Sequence, residues 1–224
     1  MDGLTQIIRV TGREYYKHIV SMVMISLIMV TVLSPSFFLI KLPFSIVYVM
    51  IVMGPLFVGA AWAVQQLLLD RSTSVIKSFF QGVKRYFLPS IGYSLFLSFF
   101  VIIIAASWWH YNQVGGTFAF ALACFQTYFC GMVFLSQIYT VPLLVKFEYS
   151  LKDSIFTSVK LLVKNPLYTI LSFFQILSVF ALLLLTVVGL FIIFPALATL
   201  FNNIVTSTVI ATEGNIDSWE TANI

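Results

Sequence analysis

Charged side chains are scarce in this sequence. Asp, Glu, Lys and Arg make up only 9% of the 224 residues, whereas a soluble domain carries roughly 25%. Hydrophobic residues reach 60%, and no soluble fold of this length could bury so much apolar surface. The shortage of charge therefore excludes a soluble domain and indicates an integral membrane protein. We expect lipid, and not nucleic acid, to surround most of the chain.

Cysteine is almost absent, with only Cys124 and Cys130 present. The two lie six residues apart in one hydrophobic run. On a helix they would face different directions, so they cannot form a disulfide with each other without breaking the helix. We interpret both as small apolar residues.

The hydrophobic runs also lack the titratable groups that catalysis needs, because none of them contains Asp, Glu, Lys or Arg. The two histidines, His18 and His110, flank different runs and cannot share a site. No HExxH sequence, Gly-rich phosphate loop or nucleophile elbow occurs. The sequence therefore predicts a non-enzymatic protein with no catalytic residues, no metal and no cofactor.

Long hydrophobic runs are abundant, and a membrane-spanning helix needs about 20 apolar residues. Four runs fit one span each, and the first is too long for a cleaved signal peptide. The last run, 167–211, would be about 67 Å long as a single helix, so it must fold back, and Gly189 to Pro195 is the candidate turn. We predict an all-α integral membrane protein with six transmembrane helices, or five if the tail lies flat on the membrane. The predicted spans are 18–40, 44–69, 89–108, 117–145, 167–188 and 190–211, in a single domain covering 1–224.

The basic residues fix an orientation, because all of them except Lys41 fall before the first span or after the second and fourth spans. These segments share one side of the membrane if the spans alternate, and the positive-inside rule places that side in the cytoplasm. We therefore predict a multi-pass protein of the cell membrane with cytoplasmic N- and C-termini. The opposite face carries the aromatic belt 108–111 and a short loop, 112–116. The basic residues on the predicted cytoplasmic side are Arg9, Arg13, Lys17, Arg71, Lys77, Lys84, Arg85, Lys146, Lys152, Lys160 and Lys164.

Two of these basic segments have the apolar spacing of an amphipathic helix, at about 74–87 and 150–164. The pattern repeats with a shift of 76 residues, so that Ser78 corresponds to Ser154. We predict two interfacial helices with their apolar faces toward acyl chains and their cations toward anionic headgroups. The shared pattern favours a parallel internal repeat of span, amphipathic helix and span. The alternative is that cytoplasmic loops of membrane proteins are generally basic and half apolar.

Amide side chains inside the spans are candidate contact residues, because they could hydrogen-bond a neutral solute such as a sugar. The alternative is that they hydrogen-bond between helices and hold the bundle together. The amides in question are Gln126, Gln137, Gln175 and Asn202.

Charged residues on the predicted cytoplasmic face form a second candidate site, for docking of a protein partner. The alternative is a solvated charged face. Permeases of importers driven by ATP-binding cassettes carry a docking helix with a Glu-Ala-Ala…Gly sequence, but the alanine pair and the glycine are missing here. The candidate docking residues are Glu148, Lys152, Asp153, Lys84 and Arg85.

Several short sequences occur in an order that carries a family resemblance: Gly54-Pro55, the stretch 79–84 (FFQGVK), the stretch 139–147 (YTVPLLVKF), and 164–167 (KNPL). With them, nearly the whole chain resembles the YesL-like family of bacterial membrane proteins, a domain of unknown function. The resemblance implies a Gram-positive source and a sugar-uptake context, because such proteins are often encoded beside carbohydrate importers. It implies an accessory component associated with an ABC-type importer and its permease subunits, and it assigns no residue a role. The alternative is a small permease for a neutral solute in its own right.

Overall fold

The computed structural model describes residues 2–38, 43–69 and 74–213. Within that part the chain is α-helical, with ten helices and no strand. Lys41 and Arg71 lie outside the described residues. The helices are α1 (Asp2–Lys17), α2 (Ile19–Phe38), α3 (Pro43–Leu68), α4 (Val75–Arg85), α5 (Phe87–Val114), α6 (Thr117–Lys146), α7 (Leu151–Lys164), α8 (Pro166–Leu184), α9 (Val187–Ile192) and α10 (Phe194–Glu213).

Six helices in the described part are long and apolar enough to cross a membrane. This confirms the prediction of an all-α membrane protein with six transmembrane helices. The last of them, α10, packs inside the bundle, where Leu200 and Val205 are fully buried, and does not lie flat as the five-span alternative required. The candidate spans are Ile19–Ser36, Phe44–Leu68, Phe87–Val114, Thr117–Lys146, Pro166–Leu184 and Phe194–Thr212.

Two predicted boundaries differ from the structure. Helix α5 continues through the aromatic belt to Val114, so the predicted loop 112–116 shrinks to Gly115 and Gly116, whose positive φ angles of 65° and 86° end the helix. Helix α8 ends at Leu184, and the short helix α9 fills most of the return to α10. The predicted turn was therefore placed too late, because Pro195 already lies in the first turn of α10, where its missing N–H has no helical partner to lose.

The centre of the bundle is formed by α3 and α10. Their spans are 44% and 50% buried, whereas those of α5 and α8 are 17% and 11% buried and lie at the periphery. Small residues let these two helices approach their neighbours closely, including Ala60 on α3 and Ala196 on α10, which are both fully buried. The Ala196 N–H also donates a hydrogen bond to Ser26 Oγ on α2, at 3.2 Å.

Helix α3 approaches α5 closely at Gly54. The Gly54 N–H donates to Ser94 Oγ at 2.6 Å. A Cβ on Gly54 would overlap the backbone carbonyl oxygen of Ser90, so the two backbones touch at this point. Pro55 lies inside the helix and has no N–H to donate, so one helical hydrogen bond is missing beside this contact.

The N-terminal segment forms an amphipathic helix, α1, that the sequence analysis treated only as a basic tail. Ile7, Thr11 and Tyr15 are buried on one side, and Ile7 packs in a cluster with side chains of α6, α7 and α10. Arg9 and Arg13 lie on the exposed side. The spacing of four residues in both sets was visible in the sequence and would have predicted this helix.

Helix α4 occurs where an interfacial helix was predicted, but its apolar face is divided between protein and surface. Phe79 is 1% exposed and belongs to the core, whereas Phe80 is 54% exposed. Gly82 lies on Trp62 of α3, where a Cβ would be 2.5 Å from the Trp62 Cβ. The prediction that the whole apolar face meets acyl chains is therefore wrong for α4, because a glycine lets half of that face pack on α3.

Helix α7 packs on α6 in the same manner, through Ser154 and Ser158, both fully buried. These serines correspond to Ser78 and Gly82 of α4 under the predicted shift of 76 residues. Small residues at matching buried positions, and the order span, amphipathic helix, span in α3–α5 and α6–α8, agree with an internal repeat.

Candidate functional site

Two of the predicted docking residues pair with each other, so the Glu148 carboxylate already has a partner. Arg85 Nη2 at the end of α4 lies 2.6 Å from Glu148 Oε1 in the α6–α7 connection. Glu148 has a φ of 53°, a left-handed conformation that costs a non-glycine residue about 1 kcal/mol or more. The ion pair therefore joins the two halves of the predicted repeat. The Glu148 carboxylate is not vacant for docking, because Arg85 already pairs with it.

Trp62 lies beside this ion pair, although nothing in the sequence singled it out. The Arg85 guanidinium carbon lies 4.8 Å from the centre of the Trp62 ring and 5.5 Å from that of Tyr86, within the range of cation–π attraction. Burial raises the pKa of the Tyr86 hydroxyl. The positive charge of Arg85 lowers this pKa and the negative charge of Glu148 raises it, and Tyr86 stays neutral near pH 7. The tryptophan lies on α3, which the sequence analysis interpreted only as a span.

Of the other three predicted docking residues, Asp153 has a structural role. Ser150 Oγ donates a hydrogen bond to Asp153 Oδ2 at 2.6 Å. The Asp153 N–H donates in turn to Ser150 Oγ at 3.2 Å. This reciprocal pair caps the N-terminus of α7. Lys84, Lys152 and Asp153 are all exposed. Together with Arg85 and Glu148 they carry three positive and two negative charges, so the net charge of the five residues is +1.

A half-open cavity of about 200 Å³ lies between α3, α5, α6 and α10. It brings together two of the four amides predicted from sequence, Gln137 and Asn202. Measured along the helices at 1.5 Å per residue, Ala61 and Asn202 lie about 10–16 Å from the ends of α3 and α10 that point to the basic side. The cavity is lined by Phe57, Ala61, Tyr93, Leu97, Gln137, Ile138, Val141, Pro142, Thr199 and Asn202.

The two amides in the cavity differ in their hydrogen bonding. Gln137 Nε2 donates to the Val133 carbonyl at 3.0 Å and to Ser136 Oγ at 2.9 Å, and its Oε1 accepts from Thr140 at 2.8 Å. All of these partners belong to α6, so Gln137 does not join helices. Asn202 Oδ1 is buried without a hydrogen-bond partner in the described part of the chain. That oxygen has almost no accessible surface, so it does not face the cavity.

The other two predicted amides lie away from the cavity. Gln126 Oε1 on α6 accepts a hydrogen bond from Ser107 of α5. Gln126 therefore holds two helices together, as the alternative to a solute contact predicted. Gln175 Oε1 on α8 is buried without a partner among the described residues.

Most hydrogen bonds between helices come from hydroxyl groups that the sequence analysis did not single out. Besides Ser26 and Ser94, the Tyr139 hydroxyl lies 2.7 Å from Thr169 Oγ1 and joins α6 to α8. Lys146 Nζ donates to Ser207 Oγ at 2.8 Å and joins α6 to α10. Hydroxyls are frequent in all spans, so sequence alone provides no means of ranking them.

Comparison with known proteins identifies no relative. No family model matches the sequence, no curated protein matches it, and no solved structure matches the chain. The resemblance to the YesL-like family therefore rests on the sequence motifs alone.

Proposed function

We propose that this chain is a non-enzymatic accessory protein of the bacterial cell membrane that binds the permease subunits of an ABC-type carbohydrate importer. The resemblance to the YesL-like family supports the importer context. The observation that carries the accessory role is the packing of α4 and α7 on the spans. Helix α4 meets α3 at Gly82, and α7 packs on α6 with Ser154 and Ser158 buried, so the helices that carry the exposed charges are anchored to the bundle. A preorganised charged surface lowers the entropic cost of binding a partner.

The distribution of charge supports a cytoplasmic location for this surface. In the described ranges, every Lys and Arg lies on α1, α4 or α7 or is the last residue of α6. By the positive-inside rule we propose that this face is cytoplasmic, with α1 and the C-terminal end of α10 on it. The cations also face the anionic headgroups of the inner leaflet, which we propose as the lipid partner.

Affinity purification from native membranes tests the accessory role. We expect the wild-type chain to recover importer permease subunits in mild detergent. Reversing the exposed charges beside the ion pair, with Lys84→Glu and Lys152→Glu together, places like charges against an acidic partner surface and should reduce recovery about 10-fold, equivalent to about 1.4 kcal/mol.

The matched control reverses two exposed charges on another basic helix, with Arg9→Glu and Arg13→Glu on α1. It changes the net charge equally and should leave recovery within about twofold of wild type, because α1 is not part of the proposed surface. Recovery of no permease subunit by the wild type, or equal losses in both double variants, would contradict the proposal.

A second candidate function is favoured by the cavity, namely transport of a neutral solute by this chain alone. Its lining combines apolar walls with the polar residues Gln137, Thr199 and Asn202, as solute sites commonly do. Uptake by the purified protein in proteoliposomes distinguishes this function from the accessory role, since an accessory subunit gives no flux without its partner.

A further inference from the structure

We propose that the Arg85–Glu148 ion pair and the buried residues next to it form a gate, which closes the cavity toward the basic side of the membrane and opens when the ion pair breaks. The inference rests on the second candidate function and names how access to the cavity is controlled. We call the buried residues the closing cluster, and they are Val58, Ala61, Trp62, Tyr86, Leu144 and Val145.

The closing cluster lies between the cavity and the basic side. On α3, Ala61 lines the cavity, and the next residue toward the basic end, Trp62, belongs to the cluster. On α6 the lining ends at Pro142, and Leu144 and Val145 follow it in the same direction. Ala61 belongs to both sets, so the cluster adjoins the cavity directly. All members of the cluster are buried, so their side chains fill the space on this side of the cavity.

The ion pair connects the helices on either side of the closing cluster. Arg85 is the last residue of α4, just before α5, and Glu148 lies between α6 and α7. The Arg85 guanidinium also lies over the rings of Trp62 and Tyr86, so it covers the cluster from the basic side. The Arg85 and Glu148 side chains are 49% and 61% exposed. An ion pair as exposed as this contributes little to stability, so it can break without unfolding the bundle.

The closed arrangement contains unfavourable features that opening relieves. Trp62 Nε1 and the Tyr86 hydroxyl are buried without a hydrogen-bond partner among the described residues, which is costly for polar groups. Water that enters an open gate hydrates both groups. Glu148 has a φ of 53°, which is disfavoured for a residue with a side chain, and it can relax once it releases Arg85. Weak interactions therefore decide between the closed and the open state.

Cysteine accessibility from the basic side tests the gate, in a background with Cys124→Ala and Cys130→Ala. The reporter is Val141→Cys, because Val141 lines the cavity and packs against the closing cluster. A membrane-impermeant methanethiosulfonate reagent is added to membrane vesicles that are oriented so that it modifies Lys152→Cys rapidly. We expect slow modification of the reporter when the ion pair is intact. Glu148→Gln should raise the rate about three- to fivefold, as the small contribution of an exposed ion pair predicts.

Two further measurements separate the ion pair from a general loosening of the protein. High salt should accelerate modification of the reporter when Glu148 is present but not in Glu148→Gln, because salt screens an exposed ion pair. The matched control is Asp153→Asn, which makes the same change in charge on the same side of the membrane and leaves the ion pair intact. It should leave the rate unchanged.

The closing cluster is tested by Trp62→Ala, which removes its largest side chain. This variant should raise the modification rate about 10-fold, because a cavity replaces the buried ring. If Trp62→Ala fails to fold, Glu148→Gln still decides the proposal, since Glu148 is exposed and its replacement removes no buried group.

Two results would overturn the gate. Modification of the reporter as fast as that of Lys152→Cys, with the ion pair intact, would mean that the cluster does not close the cavity. Equal rates in Glu148→Gln and Asp153→Asn would mean that the ion pair does not control access.

The outcome for transport is read separately, by solute uptake into proteoliposomes. A reporter that responds to Glu148→Gln in a protein without uptake supports the gate and contradicts the transport function. Uptake by a protein in which the reporter does not respond contradicts the gate alone.

Discussion

Replacing Gly54 with alanine is expected to destabilise the protein by about 2–4 kcal/mol, although alanine normally favours a helix over glycine by about 1 kcal/mol. The sign reverses because the new Cβ would overlap the Ser90 carbonyl oxygen, which is backbone and cannot rotate away. Moving α3 away from α5 would also lengthen the hydrogen bond from the Gly54 N–H to Ser94 Oγ, now 2.6 Å. The thermal unfolding midpoint of the purified protein in detergent measures the effect.

Gly131 on α6 is the matched control, since it also lies inside a span but has no atom within 4 Å of where a Cβ would be. Gly131→Ala should leave the midpoint unchanged or raise it slightly, as helix propensity alone predicts. If both alanine variants unfolded at or above the wild-type midpoint, the close contact of α3 with α5 would be refuted.

Gly82→Leu is expected to have the second-largest effect, because it separates α4 from α3. The Cβ alone would lie 2.5 Å from Trp62 Cβ and 2.8 Å from Trp62 Cγ, and the leucine methyl groups need further space. We expect a destabilisation of about 2–3 kcal/mol, typical of overpacking a tight contact. Limited proteolysis should also cut α4 faster than in the wild type.

The control for this prediction is Gly12→Leu, on the exposed side of another amphipathic helix and with open space around it. It should leave the unfolding midpoint and the proteolysis rate close to wild type. Equal behaviour of the two leucine variants would mean that α4 rests in lipid, as the sequence pattern alone predicted, and not on α3.

The spans were predictable because each depends on the apolar character of a long stretch of residues and not on any single position. A run such as 117–145 has only one way to satisfy its backbone in lipid, so its composition determines both its existence and its helical form. The end of the preceding span, α5, was harder to place. Asn112 and Gln113 look like loop residues, but the helix continues to Val114. The chain turns only at Gly115, where positive φ is inexpensive.

The packing partners of the amphipathic helices were not predictable from periodicity. The pattern in 74–87 shows that one face is apolar, but lipid and protein satisfy an apolar face equally well. What decides between them is Gly82, which permits close approach to Trp62. A single small residue in a helix has many possible roles, and only the three-dimensional structure identifies its neighbour.

The candidate sites show the same division. Gln137 and Asn202 could be singled out as polar residues within apolar runs, yet nothing in the runs showed that they share one cavity while Gln126 and Gln175 do not. Of the predicted docking residues, Arg85 and Glu148 form an ion pair with each other, which the sequence did not indicate. The hydrogen-bond partners of each polar side chain depend on distances between helices that the sequence does not give.

The central claim is that the basic helices lie on one side of the membrane and the short α5–α6 connection on the other. Cysteine labelling in intact cells tests it most directly, in a background with Cys124→Ala and Cys130→Ala. A membrane-impermeant maleimide should label Asn112→Cys in intact cells, and Lys84→Cys or Lys152→Cys only after permeabilisation. Labelling of all three positions from the same side would contradict the six-span arrangement and every proposal that depends on it.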